Sequence, residues 1–453
     1  MSAEASLHSS KAPICAWYGD DFTGTLAVLE ILAFAGLSGV VFLRRPDADT
    51  LEKFGDLAAI GLAGTARAES PAWMDDHLPE VFDWLSGTGA ELIAYKVCST
   101  LDSAPQIGSI GRAAEIGMVS FGQSAVACLI ACPSMGRYQV FGNLFATGPD
   151  GRIYRLDRHP VMTRHPITPM SEADVAQHLS RQTALPTQNI GRSDPLWGDL
   201  DCAKGIVCLD AYDDSDMEAA GTEIWDARHS HRFVIGSQGI QIALVSYFRS
   251  CGLLGKPPSV RKPGARQTVV ISGSVSPTTA VQIEYALENG FKGIKLDPIR
   301  LVDGHDSLEE AAEYASDAAQ KALAGGRLPL IYTALGPDDL TVAKFRDFIQ
   351  MSGLSGSLVQ EKLGTSLGYI LKRVLDKTGV RRTIIAGGDT SGRIMLELDG
   401  FAVTPLCPGN TLGTSLFRLA ATNELDGLEV ALKGGQMGSR DVFERLAMRP
   451  GEE

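Results

Sequence analysis

The feature that most constrains the fold is a repeated alternation between short apolar runs and segments with helical spacing of apolar residues. In the first half, "ICAWYG" precedes the helical pattern "TGTLAVLEILAFAG", and "DLAAIGLAG", "ELIAYKV", "SAVACLIACP" and "GIVCLDAY" are further apolar runs. In the second half, "TVVISGS", "GIKLD", "LPLIYTAL" and "RTIIAGG" repeat the alternation. Such runs are typical of parallel strands that helices cover on both faces. The sequence therefore predicts an α/β protein with largely parallel sheets flanked by helices.

The length of the chain predicts two domains. Its 453 residues exceed what one hydrophobic core usually organises. The stretch 250–267 is rich in Pro, Gly and basic residues, as interdomain linkers often are. We expect a first domain over 1–255, a linker over 256–267 and a second domain over 268–453, with the active site in the cleft between the domains. The segment from Gly142 to Thr168 is polar and aromatic, which indicates a hairpin or an excursion from the sheet.

Charge and composition exclude several classes of partner. The formal net charge of -13 disfavours a nucleic acid, whose phosphates would be repelled. No stretch of about 18 apolar residues could span a membrane, and the first residues lack the pattern of a signal peptide. The eight cysteines show no metal-binding spacing, since Cys128 and Cys132 lie in an apolar strand-like run. We expect a cytoplasmic protein with reduced thiols.

Two adjacent carboxylates follow the first predicted strand. The stretch "WYGDDFTG" places Asp20 and Asp21 at the carboxyl end of the strand, with Thr23 opening the next helix. Proteins of the α/β class bind ligands at the carboxyl ends of parallel strands. Two neighbouring carboxylates do not both ionise easily in a dry site, so one is predicted to act as a base or a metal ligand. The alternative is that Asp21 or Thr23 only caps the helix.

A lysine ends another apolar run. Lys96 leads into Ser99, Thr100 and Asp102. Burial disfavours a lysine charge unless an anion is near, so Lys96 is predicted to bind a substrate carboxylate or a transferring phosphoryl group. The alternative is a lysine that extends from the strand end into solvent. Further along, the stiff segment "RHPITPM" displays His165, although by itself this segment predicts only a loop.

Glycine-rich turns with hydroxyl side chains follow strands of the second half. They are "SGSVSP" before a helix, "AGGDTSG" before another, and the later "LKGGQMG". Glycines allow close approach of a phosphate, and free N–H groups at a helix start favour an anion. Neither a P-loop nor a G-x-G-x-x-G after the first strand is present. Each turn alone is equally consistent with an ordinary helix cap. The predicted nucleotide-binding residues are Ser274, Ser276, Gly387, Gly388, Asp389, Thr390, Ser391 and Gly435, and Asp389 is also the predicted ligand of Mg²⁺.

Taken together and in this order, the motifs resemble those of the four-carbon acid sugar kinase family. The resemblance covers nearly the whole chain. The family's "ADDFTGA" motif matches Gly19 to Thr25, with Gly for its first Ala and Thr for its last. The remaining matches are "K-x-x-S-T" at Lys96, Ser99 and Thr100, "GS-x-S…T…Q" at Gly273, Ser274, Ser276, Thr279 and Gln282, "GG-[DE]-TSG" at Gly387 to Gly392, and a Lys-small-Gly turn at Lys433, Gly434 and Gly435.

Within that family, "YKVCSTLDS" and "RHPITPM" are more similar to the 3-oxo-tetronate kinase branch. The branch that phosphorylates threonate or erythronate directly has an Arg where Asp102 stands. This chain departs from the 3-oxo-tetronate pattern at "FGNLFATG", where Asn143 replaces a histidine, and at "PLCPGNTLG", where a "DPGVP"-like element is usual. The first departure lies in the presumed substrate domain, so a branched acid such as 3-oxo-isoapionate is an open alternative.

The resemblance implies an N-terminal domain that binds the sugar acid, a C-terminal domain that binds nucleotide, and phosphoryl transfer from ATP·Mg²⁺ to a terminal hydroxyl. Asp20 or Asp21 is then the base, while Lys96 and Arg67 neutralise the substrate carboxylate. The full set of expected substrate-binding residues is Thr23, Arg67, Ser99, Thr100, Asp102 and His165.

The expected substrate is a 3-oxo-tetronate, which would give the 4-phosphate. The expected partner is therefore a small-molecule sugar acid, and neither a nucleic acid nor a membrane. A homodimer is a possible assembly. The alternatives are a tetronate kinase, a ribokinase-like sugar kinase and a non-catalytic protein that binds a sugar acid or nucleotide.

Overall fold

A computed structural model describes residues 12–165, 167–260, 264 and 266–447, without the side chains of Ser357 and Asp389. Contacts divide the chain into two compact units. The first contains the chain up to Val40 and Asp47–Pro258, and the second contains Val41–Pro46 and the chain from Ser259. Part of the predicted linker, 261–263 and 265, lies outside the described residues.

The first unit is built on a parallel sheet with helices between its strands. The sheet order is β2-β3-β1-β4-β11-β5-β10-β9, and the pairs from β3 through β9 are parallel. The sheet strands are β1 (Cys15–Gly19), β2 (Gly39–Phe42), β3 (Ala59–Ala63), β4 (Leu92–Lys96), β5 (Ala125–Leu129), β9 (Thr187–Ile190), β10 (Gly205–Leu209) and β11 (Phe233–Gly236). The helices are α1 (Phe22–Ala35), α2 (Ala48–Glu52), α3 (Pro71–Gly87), α4 (Ile110–Phe121), α5 (Val175–Ser180), α6 (Asp214–Asp226) and α7 (Gly239–Ser250).

Local sequence explains how the first strand and helix form. All residues of β1 are buried, as expected for a strand covered on both faces. Asp21 caps α1 by accepting a hydrogen bond from the backbone N–H of Gly24. Gly36 ends the helix with a φ of 112°, a conformation that favours glycine. The chain therefore turns sharply on both sides of α1.

Three antiparallel strands leave the parallel sheet of the first unit. They are β6 (Arg137–Val140), β7 (Asn143–Thr147) and β8 (Ile153–Arg155), paired in the order β6-β7-β8. This small sheet begins shortly after β5 and contains most of the segment that the sequence predicts as an excursion. Phe141 and Gly142 make its first turn, with φ values of 48° and 76°.

The second unit combines a parallel sheet with antiparallel strands. The sheet order is β13-β14-β12-β15-β18-β17-β16, parallel from β13 to β18 and antiparallel beyond. The strands are β12 (Val269–Ser272), β13 (Phe291–Lys295), β14 (Leu328–Tyr332), β15 (Arg382–Ala386), β16 (Gly400–Cys407), β17 (Leu416–Ala421) and β18 (Glu429–Lys433). The helices are α8 (Pro277–Glu288), α9 (Pro298–Asp303), α10 (His305–Ala324), α11 (Leu340–Ser352), α12 (Gly356–Thr378), α13 (Gly388–Glu397) and α14 (Val442–Ala447).

A short segment of the N-terminal half belongs to the second unit. Val41 and Phe42 pair antiparallel with Val403 and Ala402 of β16. Beyond this pairing, the backbone N–H of Leu43 donates to the carbonyl of Phe401 at 2.8 Å. The sequence analysis placed this whole segment in the first domain, so the structure differs from the expectation here.

The predicted fold class, an α/β protein with largely parallel sheets flanked by helices, is confirmed. In the described part of the chain, no helix combines the length and apolar character that a membrane crossing requires.

Candidate active site

Neighbouring strands of the first unit bring the predicted acidic and basic residues to one sheet edge. Gly19 at the end of β1 pairs with Ala63 of β3 and Lys96 of β4. Asp20 follows directly, and its N–H donates to the carbonyl of Lys96 at 2.9 Å. The parallel register therefore places Asp20 and Lys96 side by side, as the carboxyl ends of adjacent strands require.

Arg67 holds both carboxylates. It lies in a short 3₁₀ helix, Ala66–Ala68, after β3. Its Nε and Nη2 donate to the two oxygens of Asp20 at 3.1 and 2.6 Å, and Nη2 also donates to Oδ1 of Asp21 at 2.7 Å. Such a forked contact is the strong form of an arginine–carboxylate pair. Arg67 thus faces the acid pair, whereas the sequence analysis assigned it to the substrate.

The two carboxylates differ in their surroundings. The side chain of Asp20 is 4% exposed and that of Asp21 is 14% exposed. One oxygen of Asp21 accepts from the N–H of Gly24 at 3.2 Å, and the other accepts from the hydroxyl of Thr23 at 2.7 Å. Asp21 therefore caps the helix, as the alternative interpretation proposed, and is at the same time part of the charged cluster.

Their pKa values move in opposite directions. Burial raises the pKa of Asp20 to about 6, although the charge of Arg67 opposes this increase. Burial also acts to raise the pKa of Asp21, but the charges of Arg67 and Lys96 and the hydrogen bonds from Thr23 and Gly24 outweigh it and lower the pKa to about 2. Asp21 is therefore ionised across the physiological range, and Asp20 gains a proton in mildly acidic solution.

Lys96 is buried next to this pair, with 2% of the residue exposed. A Cβ atom added at Gly24 would lie 2.3 Å from its Nζ and 2.3 Å from Oδ1 of Asp21. The lysine ammonium therefore fills the space at the first turn of α1, which only a glycine at position 24 leaves open. This location contradicts the alternative of a lysine that extends into solvent.

Two further predicted residues, Asp102 and His165, form a second group with Thr168. The hydroxyl of Thr168 donates to Asp102, and at 2.9 Å it contacts Nδ1 of His165. Nδ1 of His165 also lies 3.7 Å from Oδ1 of Asp102. Ser99 and Thr100 are half-buried in the turn after β4. Sequence reasoning missed Thr168, which connects Asp102 to the His165 segment.

Asn143, the departure from the family pattern, lies at the start of β7. Its amide nitrogen donates to the carbonyl of Phe141 at 3.1 Å. It borders a hollow of about 410 Å³ on the small sheet, together with residues such as Phe145 and Ile153. In the described contacts, Asn143 therefore belongs to the hairpin and not to the acidic cluster.

In the second unit, the turn after β12 supplies hydroxyl groups at a helix start. Ser276 caps α8 by accepting from the N–H of Thr278 at 3.2 Å. The hydroxyl of Ser274 donates to that of Thr279 at 3.1 Å and accepts from the N–H of Ser276 at 3.2 Å. Thr279 in turn donates to the carbonyl of Gly435 at 2.8 Å. These contacts connect the turns after β12 and β18.

The turn after β15 leaves donors without a side-chain cap. Gly387 precedes α13 with a φ of 142°, and among the described side chains none forms a capping hydrogen bond at this helix start. Ser391 donates back to the carbonyl of Gly387. The hydroxyl of Thr390 is buried, with 4% of the residue exposed, and has no hydrogen-bond partner among the described residues. An anion at this helix start would satisfy both kinds of donor.

Gln282 and Lys433 position the turn after β18. The sequence analysis named them only as matches to family motifs. The amide nitrogen of Gln282 lies 2.9 to 3.1 Å from the carbonyls of Met437, Gly438 and Ser439. Nζ of Lys433 donates to the carbonyl of Gly434 at 2.9 Å and to that of Met437 at 3.2 Å. Burial lowers the pKa of Lys433 to about 7. Only contacts across about 155 residues of chain reveal the role of Gln282, so no local signal could have predicted it.

Two of the predicted nucleotide-binding glycines lie too close to neighbouring hydroxyl groups to accept a larger side chain without movement. A Cβ at Gly435 would lie 3.1 Å from the hydroxyl of Ser274, and a Cβ at Gly387 would lie 2.6 Å from that of Thr390. Gly388 has open space around it, with no atom within 4 Å of an added Cβ. The turns after the adjacent strands β12, β15 and β18 therefore converge at one edge of the sheet, as the sequence predicts for a phosphate site.

The described residues contain no complete set of side-chain ligands for a metal ion. Among them, no group of three or more His, Cys, Asp or Glu side chains is arranged to hold a metal ion. The predicted ligand Asp389 starts near the first turn of α13, but its side chain lies outside the described residues.

Comparison with known proteins matches both units. A model described as a sugar-binding N-terminal domain matches residues 15–244, and one described as a nucleotide-binding C-terminal domain matches residues 269–443. The chain is 39% identical to the 3-oxo-isoapionate kinase of Paraburkholderia graminis, across 95% of this chain and 93% of that protein. It is 27% identical to the 3-oxo-tetronate kinase of Pseudomonas fluorescens, across 96% of this chain and 97% of that protein.

Two solved structures share the fold. A protein of Salmonella typhimurium superposes with a TM-score of 0.73 at 21% identity, and one of Haemophilus influenzae with a TM-score of 0.66 at 22% identity. Each alignment covers 95% of this chain and 98% of the other.

Proposed function

The chain belongs to the four-carbon acid sugar kinase family, and from this premise we propose that it transfers the γ-phosphoryl group of ATP to a hydroxyl of 3-oxo-isoapionate or a closely related branched sugar acid. The acidic cluster beside a buried lysine carries the proposal, because such a cluster orients a hydroxyl and neutralises charge. Phosphoryl transfer asks little more of a protein than positioning and electrostatic stabilisation.

The order of candidate substrates follows the sequence identities between this chain and its relatives. The sequence analysis placed 3-oxo-tetronate first and 3-oxo-isoapionate second. The relative named for 3-oxo-isoapionate is 39% identical, whereas those named for 3-oxo-tetronate are 26 to 28% identical. The greater identity supports the branched acid as the preferred substrate, and 3-oxo-tetronate is the second candidate.

Within the acidic cluster, we assign the orienting role to Asp21. Arg67 occupies both oxygens of Asp20, whereas Oδ2 of Asp21 accepts only from Thr23, and Asp21 is the more exposed of the two. Its pKa of about 2 makes it a weak base. A weak base suits a loose transition state, in which the carboxylate mainly holds the attacking hydroxyl in place. Asp20 then fixes Arg67, and Lys96 neutralises negative charge on the reacting groups.

The glycine-rich turns would hold the nucleotide. The open first turn of α13 and the buried hydroxyl of Thr390 suit phosphate oxygens, and Ser274 and Gly435 border the same edge. We further propose that Mg²⁺ accompanies ATP. This ion usually keeps several waters and takes one or two protein oxygens plus the phosphates, so the oxygens of Asp389 and Thr390 are a sufficient donor set. The ion would neutralise charge on the transferring group.

An assay for ADP release tests the proposal. The purified protein is supplied with ATP, Mg²⁺ and, in turn, 3-oxo-isoapionate, 3-oxo-tetronate, L-threonate and D-erythronate. We expect kcat/KM to be highest with 3-oxo-isoapionate. Higher kcat/KM with 3-oxo-tetronate would reverse the order of substrates but keep the kinase. Tight binding of an acid without ADP release from any of them would instead indicate a non-catalytic binding protein.

A further inference from the structure

Arg137 is a charged residue near the candidate site that the sequence analysis did not single out. It begins β6, just after the 3₁₀ helix Pro133–Met135 that follows β5. Its backbone pairs with Cys132, with hydrogen bonds of 2.8 and 3.1 Å in the two directions. This pairing fixes the start of the side chain at the carboxyl end of β5.

Among the described residues, the guanidinium of Arg137 has no acidic partner. Nη1 donates to the carbonyls of Met135 and Gly136 at 3.0 and 3.2 Å. Nε is buried and has no hydrogen-bond partner among the described residues, and no described carboxylate forms an ion pair with this side chain. A half-buried arginine without a counter-ion is costly, so such residues usually bind an anion.

The neighbours of Arg137 connect it to the acidic cluster. Burial lowers the pKa of Arg137, and the thiols of Cys98 and Cys132 act against this shift. Burial acts to lower the pKa of Arg67, but the charges of Asp20 and Asp21 raise it, and the same Cys98 thiol adds to this increase. Burial raises the pKa of Cys132, which Arg137 and Lys96 both act to lower. The strand register gives the same location: Gly236 of β11 pairs with Lys96 of β4 and with Leu129 of β5, so Arg137, which follows β5, lies at the same sheet edge as Lys96.

Arg67 cannot offer the forked pair Nε and Nη2 to a substrate carboxylate without releasing an aspartate. Asp20 and Asp21 together occupy its Nε and Nη2. Arg137, by contrast, has Nε and Nη2 without partners among the described residues, and these two atoms form one side of the guanidinium fork. A carboxylate binds such a side through two parallel hydrogen bonds.

We propose that Arg137, through its Nε and Nη2, binds the carboxylate of the sugar acid and so selects acids over neutral sugars. This inference rests on the proposed function for the identity of the ligand. With the carboxylate held at Arg137, the far end of the acid is free to present its hydroxyl to Asp21. Arg67 keeps the acid pair in place and makes no contact with the substrate carboxylate.

The test compares Arg137→Gln and Arg137→Lys with the control Arg152→Gln. Arg152 lies between β7 and β8, and its side chain is 82% exposed. Binding of L-threonate, D-erythronate and 3-oxo-isoapionate is measured by calorimetry without nucleotide, and KM is measured for the acid and for ATP. We expect Arg137→Gln to raise Kd and KM for the acids on the order of 30-fold or more, because a charge pair loses one partner. KM for ATP should stay unchanged, and Arg137→Lys should recover part of the loss.

A neutral analogue separates binding from folding. With the methyl ester or the corresponding polyol as ligand, the Gln variant and the wild type should bind equally, because no carboxylate is present. If Arg137→Gln and Arg152→Gln bind the acids with equal affinity, the assignment is overturned. It is also overturned if Arg137→Gln loses as much affinity for the ester as for the acid. Acid binding that depends on Arg137 without turnover by the wild type would refute the kinase and keep the carboxylate site.

Discussion

Asp20 and Asp21 are neighbours in sequence, yet the structure gives them different partners. Both oxygens of Asp20 contact Arg67, whereas Asp21 shares Arg67 and also contacts Thr23 and Gly24. A role that needs contact with a substrate therefore falls to Asp21, and a role that needs a fixed counter-ion falls to Asp20.

We predict that Asp21→Asn lowers kcat by about 10²- to 10⁴-fold, the usual contribution of a positioned base. The amide keeps the size of the side chain but loses the charge that orients the hydroxyl. Steady-state kinetics give kcat, and calorimetry should show unchanged ATP affinity. Near-normal turnover in this variant would falsify the assignment of Asp21.

Asp20 should make stability depend on pH in a defined window. Its pKa rises from 3.8 to about 6 on folding, so the folded state holds the proton more tightly than the unfolded state does. This contribution is fully present below pH 3.8 and is lost as pH rises through 6. We predict that the wild type gains stability relative to Asp20→Asn, by about 3 kcal/mol at most, as pH falls from 7 to 4.

Urea unfolding at several pH values measures this effect. Asp21→Asn is the control, because the pKa of Asp21 is lowered to about 2 and its own contribution changes only below about pH 4. That variant should still gain stability as pH falls, but over a window moved to lower pH, because the charge of Asp21 is one of the causes that raise the pKa of Asp20. Parallel stability curves for the wild type and Asp20→Asn would show that Asp20 does not hold its proton in this range.

For single residues, the sequence predicted which residues belong to the site but not which side chains they contact. Asp20, Asp21 and Lys96 follow from strand ends, which a local pattern reveals. The contact between Arg67 and Asp20 spans 47 residues, and that between Thr168 and Asp102 spans 66 residues. A single sequence carries no signal for such pairs, so Arg67 was assigned to the substrate and Arg137 was not considered.

Among the secondary-structure elements, the junction of β15 and α13 depends most on glycine. Gly387 has a φ of 142°, and a Cβ there would lie 2.6 Å from the hydroxyl of Thr390. We predict that Gly387→Ala costs about 1 to 3 kcal/mol of folding free energy and weakens ATP binding, since the strained turn moves the first N–H groups of the helix.

Thermal unfolding with and without ATP measures both effects. Gly356 at the start of α12 is the control, because its φ is ordinary and no atom lies within 4 Å of an added Cβ. Gly356→Ala should leave ATP binding unchanged and keep or slightly raise the melting temperature. If both variants respond to ATP like the wild type, the turn after β15 does not hold the nucleotide.

The predicted strands of the parallel sheets are present, whereas β16 and β17 were not predicted. The sequence analysis noted "PLCPGNTLG" only as a departure from the family pattern and predicted no strand there. In the structure, β16 extends through Pro405 to Cys407, with an irregular register between these two residues. A proline within an apolar run argues against a strand on local grounds, and only its position at an irregularity makes it acceptable.

For the molecule as a whole, the segment Val41–Pro46 joins a unit whose other residues begin at Ser259. We predict that Leu43→Pro destabilises the second unit, because it removes the N–H that donates to the carbonyl of Phe401. The expected cost is about 1 to 3 kcal/mol.

Hydrogen exchange measured by mass spectrometry locates the change. Exchange should increase in β16 and β17, although the substituted residue lies in the N-terminal tenth of the chain. Leu43→Ala is the matched control, since it removes side-chain packing but keeps the N–H. An increase confined to β1, β3 and β4 would contradict the assignment of this segment to the second unit.

The length of the chain predicts two domains, and the shift in composition near residue 260 predicts where they join, because linkers have a recognisable composition. That Val41–Pro46 belongs to the second unit could not be predicted. The stretch "SGVVFLRRP" has the composition of any buried strand, and local sequence does not encode which strand it pairs with.

The same segment sets an order of events during translation. Val41 leaves the ribosome about 360 residues before its partner Val403, which is on the order of 20 to 70 s at typical bacterial and eukaryotic elongation rates. Throughout that interval the segment lacks its partner strand β16, and the whole of the first unit is synthesised before β16 is. Slow elongation or premature termination after the first unit would therefore leave a nascent chain with an unpaired strand edge, and such an edge can pair with another chain.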